Sequence, residues 1–228
     1  MPAIKSLGDS WGMQFNSSKC KILLITRSLN LHSYPYYTGD NFINPVNVYR
    51  DLRFMVASDL TWKVHVDSIA KKANCSLGYI ERTCGFKAPV QAKKLLHLTI
   101  VRSKPEVGVP VWSSHRNENL IEGVQRRATR FILRSDIGYK DRLSPCGLMP
   151  LSSRREMLDL SFLFNCRQGF FSLDISDFFS EYCPIRRTRR ASTGPFYNLP
   201  FCKTETFANS YFSRIVPLWN NLSIELRQ

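Results

Sequence analysis

The sequence predicts an α+β fold that is mainly α, with a small N-terminal β layer followed by a helical bundle. Three observations support this class. A short β-branched run lies near the N-terminus, amphipathic helical periodicity begins at about residue 61, and 43% of the 228 residues are apolar. A chain of this length and composition can bury a core in one large domain or two small ones. We predict three parts, at residues 1–60, 61–168 and 169–228.

The N-terminal part contains two candidate strands. Lys21 to Thr26 is a short apolar run suited to a buried strand, and Val46 to Val56 is a candidate second strand. The Asn, Pro and Gly residues within 30–47 favour turns between them. A sheet this small exposes an edge, and a further strand would normally cover that edge.

The middle part changes to a helical period. A helix is expected from about Trp62 to Cys84, with Gly85 as its stop, because its apolar residues recur three and four positions apart. These residues are Val66, Ile69, Ala70, Ala73, Leu77 and Ile80. A second helix should begin near Pro89 and end at Pro105, since proline suits a first helical turn and interrupts a helix interior.

The next helix, over roughly 117–134, has the clearest two-sided pattern. At 100° per residue one face is apolar and the other is basic. The apolar face comprises Ile121, Val124, Ala128, Phe131 and Ile132, and the basic face comprises Arg126, Arg127, Arg130 and Arg134. Ser153 and Glu156 have the spacing of a capping box that starts a further helix. A final short helix is expected over 207–218.

The charge balance favours an anionic partner. The chain has 32 Lys and Arg against 18 Asp and Glu, a net charge of +14, and such a field attracts nucleic acid through phosphate contacts. A second basic cluster lies in a loop, where it can contact phosphates or serve as a nuclear-import patch. It comprises Arg186, Arg187, Arg189 and Arg190. The alternative for both basic clusters is a solvated surface that only keeps the protein soluble.

Cysteine usage and hydropathy exclude several classes of protein. Seven irregularly spaced cysteines without a signal-peptide pattern favour reduced thiols in a cytoplasmic or nuclear protein that is not secreted. There is no Cys-x2-Cys pair, so no metal site is expected. No run of eighteen apolar residues indicates a membrane span. A nucleophilic Cys–His pair, such as Cys20 with His65, stays open.

Several segments carry a family resemblance. In order they are Trp11 to Leu23, Ser58 to Val66, Val111 to Trp112, Ile121 to Arg130, Leu148 to Leu151, Asn209 to Phe212, and Leu218 to Leu222. Their order and spacing over about 210 residues resemble the C-terminal part of reverse transcriptases from non-LTR retrotransposons of the jockey-like and LINE types. The resemblance implies that residues 1–60 are the end of the palm and the primer-grip region. It implies a helical thumb at 61–168, followed by a basic loop and a short helix at 169–228.

The resemblance also implies a role in RNA-directed DNA synthesis. The family binds its catalytic Mg²⁺ through a Tyr/Phe-Ala-Asp-Asp box upstream of the segment that starts at Trp11, and Met1 to Ser10 do not contain that box. We therefore expect a fragment that lacks the upstream palm and fingers portion. It would have no catalytic residue, no metal ligand and no cofactor of its own, and it would not polymerise alone. Lys19 falls where the family has a lysine linked to the incoming nucleotide.

One departure from the family pattern falls within the primer-grip strand. The family usually has Asp-Leu-Gly-Val there, and this chain has Asp51, Leu52, Arg53 and Phe54. An arginine side chain would obstruct a close backbone approach that glycine allows.

Three functional hypotheses follow. The first is a fragment that binds an RNA or DNA template–primer through phosphates, with Arg126, Arg127, Arg130, Arg134, Arg186, Arg187, Arg189 and Arg190 as the contacts. The second is a non-enzymatic, domesticated module that binds nucleic acid or protein. The third is a relic that does not fold stably.

Overall fold

A computed structural model describes residues 10–13, 16–28, 34–38, 41–85, 87–113, 118–182 and 196–227. The fold is α+β and mainly α, as the sequence predicts. The chain divides into two compact units, Met1–His65 and Val66–Gln228. The finer division into three parts stays a prediction.

Among its described residues, the first unit contains three pairs of short strands. β1 (Ile22–Leu23) runs parallel to β4 (Pro45–Val46), while β2 (Tyr37–Thr38) with β3 (Asn41–Phe42) and β5 (Val48–Asp51) with β6 (Phe54–Ala57) are antiparallel. The buried strand predicted over Lys21 to Thr26 is wrong beyond Leu23, because β4 offers only two pairing residues. Leu24 and Ile25 are consequently exposed.

Residues 46–56, predicted as one strand, form most of a β-hairpin instead. Asp51 on β5 faces Phe54 on β6, so Leu52 and Arg53 are the two central residues of the turn. Their φ angles are +41° and +77°. A two-residue turn with positive φ at both centres normally takes Asn-Gly, so the usual sequence signal is missing here. The free-energy cost of having arginine instead of glycine at position 53 therefore comes from the strained left-handed conformation of its backbone.

Replacing Arg53 with glycine is expected to stabilise the hairpin by about 1 kcal/mol. A left-handed conformation costs a residue with a side chain about 1–2 kcal/mol, and the greater freedom of glycine in the unfolded chain offsets part of the gain. Slower amide hydrogen exchange in β5 and β6 would report the stabilisation. Arg50→Gly, within β5, is the control and should accelerate exchange. Unchanged exchange in Arg53→Gly would show that the turn is not strained.

The second unit is mostly helical and includes one strand pair among its described residues. Its elements are α1 (Lys63–Cys84, which begins in the first unit), α2 (Val90–Leu96), a π-helical segment (His97–Arg102), α3 (Ser103–Glu106), α4 (Val109–Trp112), α5 (Glu118–Leu133), α6 (Tyr139–Cys146), α7 (Leu151–Arg167), β7 (Glu181–Tyr182) paired with β8 (Phe196–Tyr197), α8 (Glu205–Ala208), α9 (Tyr211–Asn220) and α10 (Ile224–Arg227). Gly85, with φ +55°, follows α1 as the predicted stop.

Other helix boundaries differ from the predictions. The helical run that starts after Pro89 continues through Pro105 to Glu106, because Pro105 lies in the first turn of α3, where a helix tolerates proline. The capping box is wrong, because α7 already begins at Leu151 and both Ser153 and Glu156 lie inside it. The single helix expected over 207–218 is interrupted between α8 and α9.

The described residues of the second unit include two buried apolar clusters. The first contains Ala73, Leu77, Ile80, Val101, Val124, Ala128 and Phe131. The second contains Leu163, Phe179, Tyr197, Tyr211, Ile215, Val216 and Trp219. The predicted apolar face of α5 is confirmed, because its five residues are all buried. This burial directs the opposite face of α5 outward.

A buried ion pair connects α7 to α9. The Arg214 guanidinium contacts both carboxylate oxygens of Asp159, at 3.1–3.2 Å, and the two side chains are 8% and 3% exposed. Arg214 Nη2 also donates to the Val109 and Pro110 carbonyls of α4, at 3.3 and 3.2 Å. One arginine therefore joins three helices.

Candidate nucleic-acid interface

The four arginines predicted on α5 lie on one outward surface. Arg126, Arg127 and Arg130 are exposed within the helix, and Arg134 is exposed immediately after its end. We call these four residues the arginine face. Its orientation follows from the burial of the apolar face, and its exposure confirms the predicted geometry of the helix.

Two members of the arginine face form ion pairs with carboxylates. Arg127 Nε donates to Glu81 Oε1 of α1 at 3.2 Å, and Arg130 Nε lies 3.1 Å from Asp136 Oδ1. Arg127 remains 49% exposed, and Asp136 is 89% exposed. Exposed ion pairs of this kind contribute about 0–1 kcal/mol, so a phosphate can replace either carboxylate at little cost.

The other two members are held by different contacts. The Arg126 guanidinium lies over the Tyr139 ring of α6, 5.4 Å from the ring centre. Arg134 has φ +53°, and its N–H donates to the Arg130 carbonyl at 2.9 Å, so this residue ends α5 in the left-handed conformation usual for glycine. Positive charge at this end of a helix is favoured by the helix dipole.

Hydrogen bonds on the inner side of α5 hold the helix in place. The Glu122 carboxylate accepts from the Leu151 N–H at 3.0 and 3.2 Å and from the Tyr139 hydroxyl. Gln125 Nε2 donates to the Tyr139 hydroxyl at 3.0 Å and to the Met149 carbonyl at 2.9 Å. Burial, together with the bond to Glu122, raises the pKa of Tyr139, so its hydroxyl stays protonated. Glu122 thus caps α7 in place of the predicted capping box.

Arg142 of α6 completes this arrangement. Its Nε donates to Thr129 Oγ1 at 3.2 Å and its Nη2 to the Arg126 carbonyl at 3.3 Å. It also donates to the Ile137 carbonyl. Because Arg142 is only 4% exposed, it supports α5 and is not available to a ligand in solution.

The structure adds two residues to the site that the sequence analysis did not select. Arg82 of α1 approaches Arg127 above Gly78: Arg82 Nη1 and Arg127 Nη2 lie 3.4 and 3.6 Å from the position that a Cβ on residue 78 would occupy. Glu81, the partner of Arg127, is the second addition. The only sequence signal for the contact between Arg82 and Arg127 is Gly78, because a glycine inside an amphipathic helix often marks a place where another group packs closely against the helix.

The other predicted site residues lie either outside the described residues or in the first unit. Arg186, Arg187, Arg189 and Arg190 lie outside the described residues. Lys19 is exposed in the first unit, in the short 3-10 helix Ser17–Lys19, and its carbonyl accepts from the Tyr49 hydroxyl at 3.1 Å.

The open Cys–His candidate does not form a hydrogen-bonded pair. Cys20 Sγ donates to the Asn16 carbonyl at 3.5 Å. His65 Nδ1 accepts from the Met55 N–H at 3.2 Å. Each group is thus engaged elsewhere, and the structure gives no support to a nucleophilic pair.

Metal groups and membrane helices were also sought in the described residues. No three His, Cys, Asp or Glu side chains within them are grouped closely enough to hold a metal ion. In the same ranges, none of the helices combines the length and apolar character needed to cross a bilayer.

Comparisons with protein-family models, curated proteins and solved structures give no match for this chain. The resemblance to non-LTR reverse transcriptases therefore rests on the sequence segments alone.

Proposed function

We propose that the helical unit binds nucleic acid duplexes through their phosphates, as the thumb-like C-terminal part of a non-LTR reverse transcriptase would. The arginine face is the observation that carries this proposal. Its four arginines are exposed on α5 and directly after its end, and the other side of the helix is fixed by a core and a hydrogen-bond network. The ligand would be an RNA–DNA or DNA template–primer, bound without sequence preference.

The dimensions and chemistry of the arginine face suit a phosphate backbone. Residues 126 to 134 span about 12 Å of helix axis. That length covers roughly three to four phosphates along one strand of a duplex. Arginine offers paired N–H donors that match two phosphate oxygens, and the net charge of +14 adds long-range attraction.

The hydrogen-bond network gives the spacing of the resembling segments a structural reason. Glu122 and Gln125 lie in the segment 121–130, and they bond to Leu151 and Met149 of the segment 148–151. Each of these two segments resembles the family on its own, and hydrogen bonds join them in the structure. This supports the interpretation that they belong to one helical element of the kind found in the family.

The proposal is limited to binding. Polymerase chemistry needs paired carboxylates that hold two metal ions about 3.5–4 Å apart, and the sequence contains neither Asp-Asp nor Asp-x-Asp. A cytoplasmic or nuclear location belongs to the same proposal. It is supported by six described cysteines that are all free thiols, as is usual in reducing compartments.

Changing Arg126, Arg127, Arg130 and Arg134 together to glutamine tests this function. If each contacts a phosphate, the slope of log K against log salt should fall by about three to four units. Fluorescence anisotropy with a labelled RNA–DNA duplex, at several salt concentrations, measures the slope.

Thermal unfolding of the same variant separates binding from folding. Exposed substitutions usually change stability by about 0.5 kcal/mol or less each, so cooperative unfolding should persist. The matched control for lost charge changes four exposed lysines outside α5 and α6 together to glutamine, namely Lys71, Lys72, Lys87 and Lys203. An unchanged salt slope in the fourfold variant, with normal unfolding, would mean that the arginine face is only solvated.

A further inference from the structure

Two arginines from different helices converge on Gly78. Arg82 follows Gly78 by one helical turn on α1, and Arg127 reaches the same place from α5. The distances of 3.4 and 3.6 Å from the Cβ position of residue 78 are those of ordinary van der Waals contact. Glycine therefore lets both guanidinium groups lie against the surface of α1.

The charges at this place are incompletely balanced. Glu81 pairs with Arg127, and its side chain is 26% exposed. Among the described residues, Arg82 forms no ion pair, although its side chain is exposed beside a second guanidinium. Two guanidinium groups that both border residue 78 repel each other, and an anion that contacts both would relieve the repulsion.

We propose that Arg82 and Arg127 form a two-arginine site for a single backbone phosphate, and that Glu81 is the internal anion this phosphate displaces. The inference rests on the proposed function and assigns Arg82 to the same interface. It also gives Glu81 a regulatory role, because this carboxylate competes with the ligand for Arg127.

Salt dependence can show whether both arginines contact one phosphate. Each phosphate neutralised on a duplex contributes about 0.9 to the slope of log K against log salt. If both arginines contact one phosphate, either single variant leaves that phosphate contacted and should lower the slope by clearly less than 0.9, whereas the double variant should lower it by about 0.9. Two separate phosphates would give a reduction of about 0.9 in each single variant and about 1.8 in the double variant. Arg126→Gln combined with Arg130→Gln, which are assigned to separate phosphates, is the additive control.

Glu81→Gln should strengthen binding of the same labelled duplex. Removing this partly exposed ion pair, at about 0.2–1 kcal/mol, frees Arg127, which corresponds to about a 1.4- to 5-fold gain in affinity. Asp177→Asn, at an exposed position, changes the net charge equally and is the control. The gain in Glu81→Gln should exceed the gain in that control.

Substitutions of Gly78 test the geometry without changing charge. Gly78→Ala should retain binding, because the added methyl only contacts the guanidinium groups, and should raise Tm by about 2–4 °C through better helix propensity. Gly78→Leu should displace both groups and weaken binding as Arg82→Gln does. Gly123→Ala, where no atom lies within 4 Å of the added Cβ, is the control for helix propensity.

The outcomes separate this inference from the proposed function. If Arg82→Gln leaves affinity unchanged while the fourfold arginine variant loses it, the two-arginine site is wrong and the arginine face stands. A reduction of about 1.8 in the slope of the double variant would also overturn the shared phosphate. If neither set of variants alters binding, both proposals fail. Should Gly78→Leu not fold, the arginine and Glu81 variants decide alone.

Discussion

Asp159→Ala is expected to destabilise the second unit by about 3–5 kcal/mol. The change leaves the Arg214 guanidinium buried without its carboxylate, at a place where α4, α7 and α9 meet. The carbonyls of Val109 and Pro110 can solvate that charge only in part. A loss of this size is a large fraction of the stability of an ordinary domain.

The pKa of Asp159 shows that this cost comes from breaking the pair and not from a strong net attraction. Burial raises the pKa of its carboxyl to about 6, although Arg214 acts in the opposite direction. The ionised carboxylate therefore loses more by leaving water than it gains from the arginine. Such a pair adds little net stability when it is intact, but removing only one of its two charges is strongly destabilising.

Asp136→Ala provides the matched control for Asp159→Ala. Asp136 also pairs with an arginine, Arg130, but it is 89% exposed, so its removal should cost about 1 kcal/mol or less. Urea unfolding followed by circular dichroism compares the two variants. Equal losses in both would contradict the assignment of Asp159 to a buried ion pair.

Replacing His97 with leucine is expected to make the protein less sensitive to acid. His97 is 2% exposed in the π-helical segment, with the side chain of Gln125 beside it. Burial, followed by the charge of Arg102, lowers its pKa to about 4 against a weaker opposing effect of Gln125. The folded protein thus keeps this imidazole neutral at a pH where the unfolded chain protonates it.

The sign and size of the acid effect follow from this difference in pKa. The contribution of His97 to stability is fully present above about pH 6.5 and is lost as the pH falls toward 4, because the unfolded state then binds the extra proton. Between pH 7 and pH 5 the wild type should lose about 2 kcal/mol more than His97→Leu.

Urea unfolding of the wild type and variant at both pH values measures this loss. His97→Gln is the control that separates titration from side-chain volume. Like His97→Leu, it should lack the part of the pH dependence that comes from His97, whatever its stability at pH 7. Parallel pH profiles for the wild type and both variants would mean that His97 is not held neutral in the folded state.

Long helices with a regular apolar face were predictable from the sequence. The pattern from Val66 to Ile80 requires only that one stripe be buried, and α1 matches the expected helix to within a residue. The same argument oriented the arginine face, because burying Val124 and Ala128 turns Arg127 outward.

Features that depend on distant residues were not predictable from local patterns. Leu52 and Arg53 carry no turn signal, so the local pattern predicts one strand where the structure has a hairpin. The start of α7 is capped by Glu122, which lies 29 residues earlier in the chain. In the candidate site, the approach of Arg82 to Arg127 depends on how α1 and α5 cross, and helical period alone does not determine that crossing.

For the proposed binding of a duplex, the hydrogen bonds beneath α5 would lower the entropic cost of contacting a polyanion. Gln125, Thr129 and Arg142 fix the backbone that carries the arginines before any ligand arrives. Binding then restricts mainly side-chain rotamers, at about 0.5–1.5 kcal/mol for each immobilised arginine. A disordered arginine-rich segment would lose a further 1–2 kcal/mol or so of backbone entropy for every residue it orders. The protein therefore presents its arginines as a preorganised row, and its affinity for a duplex should depend more on ionic strength than on any folding step.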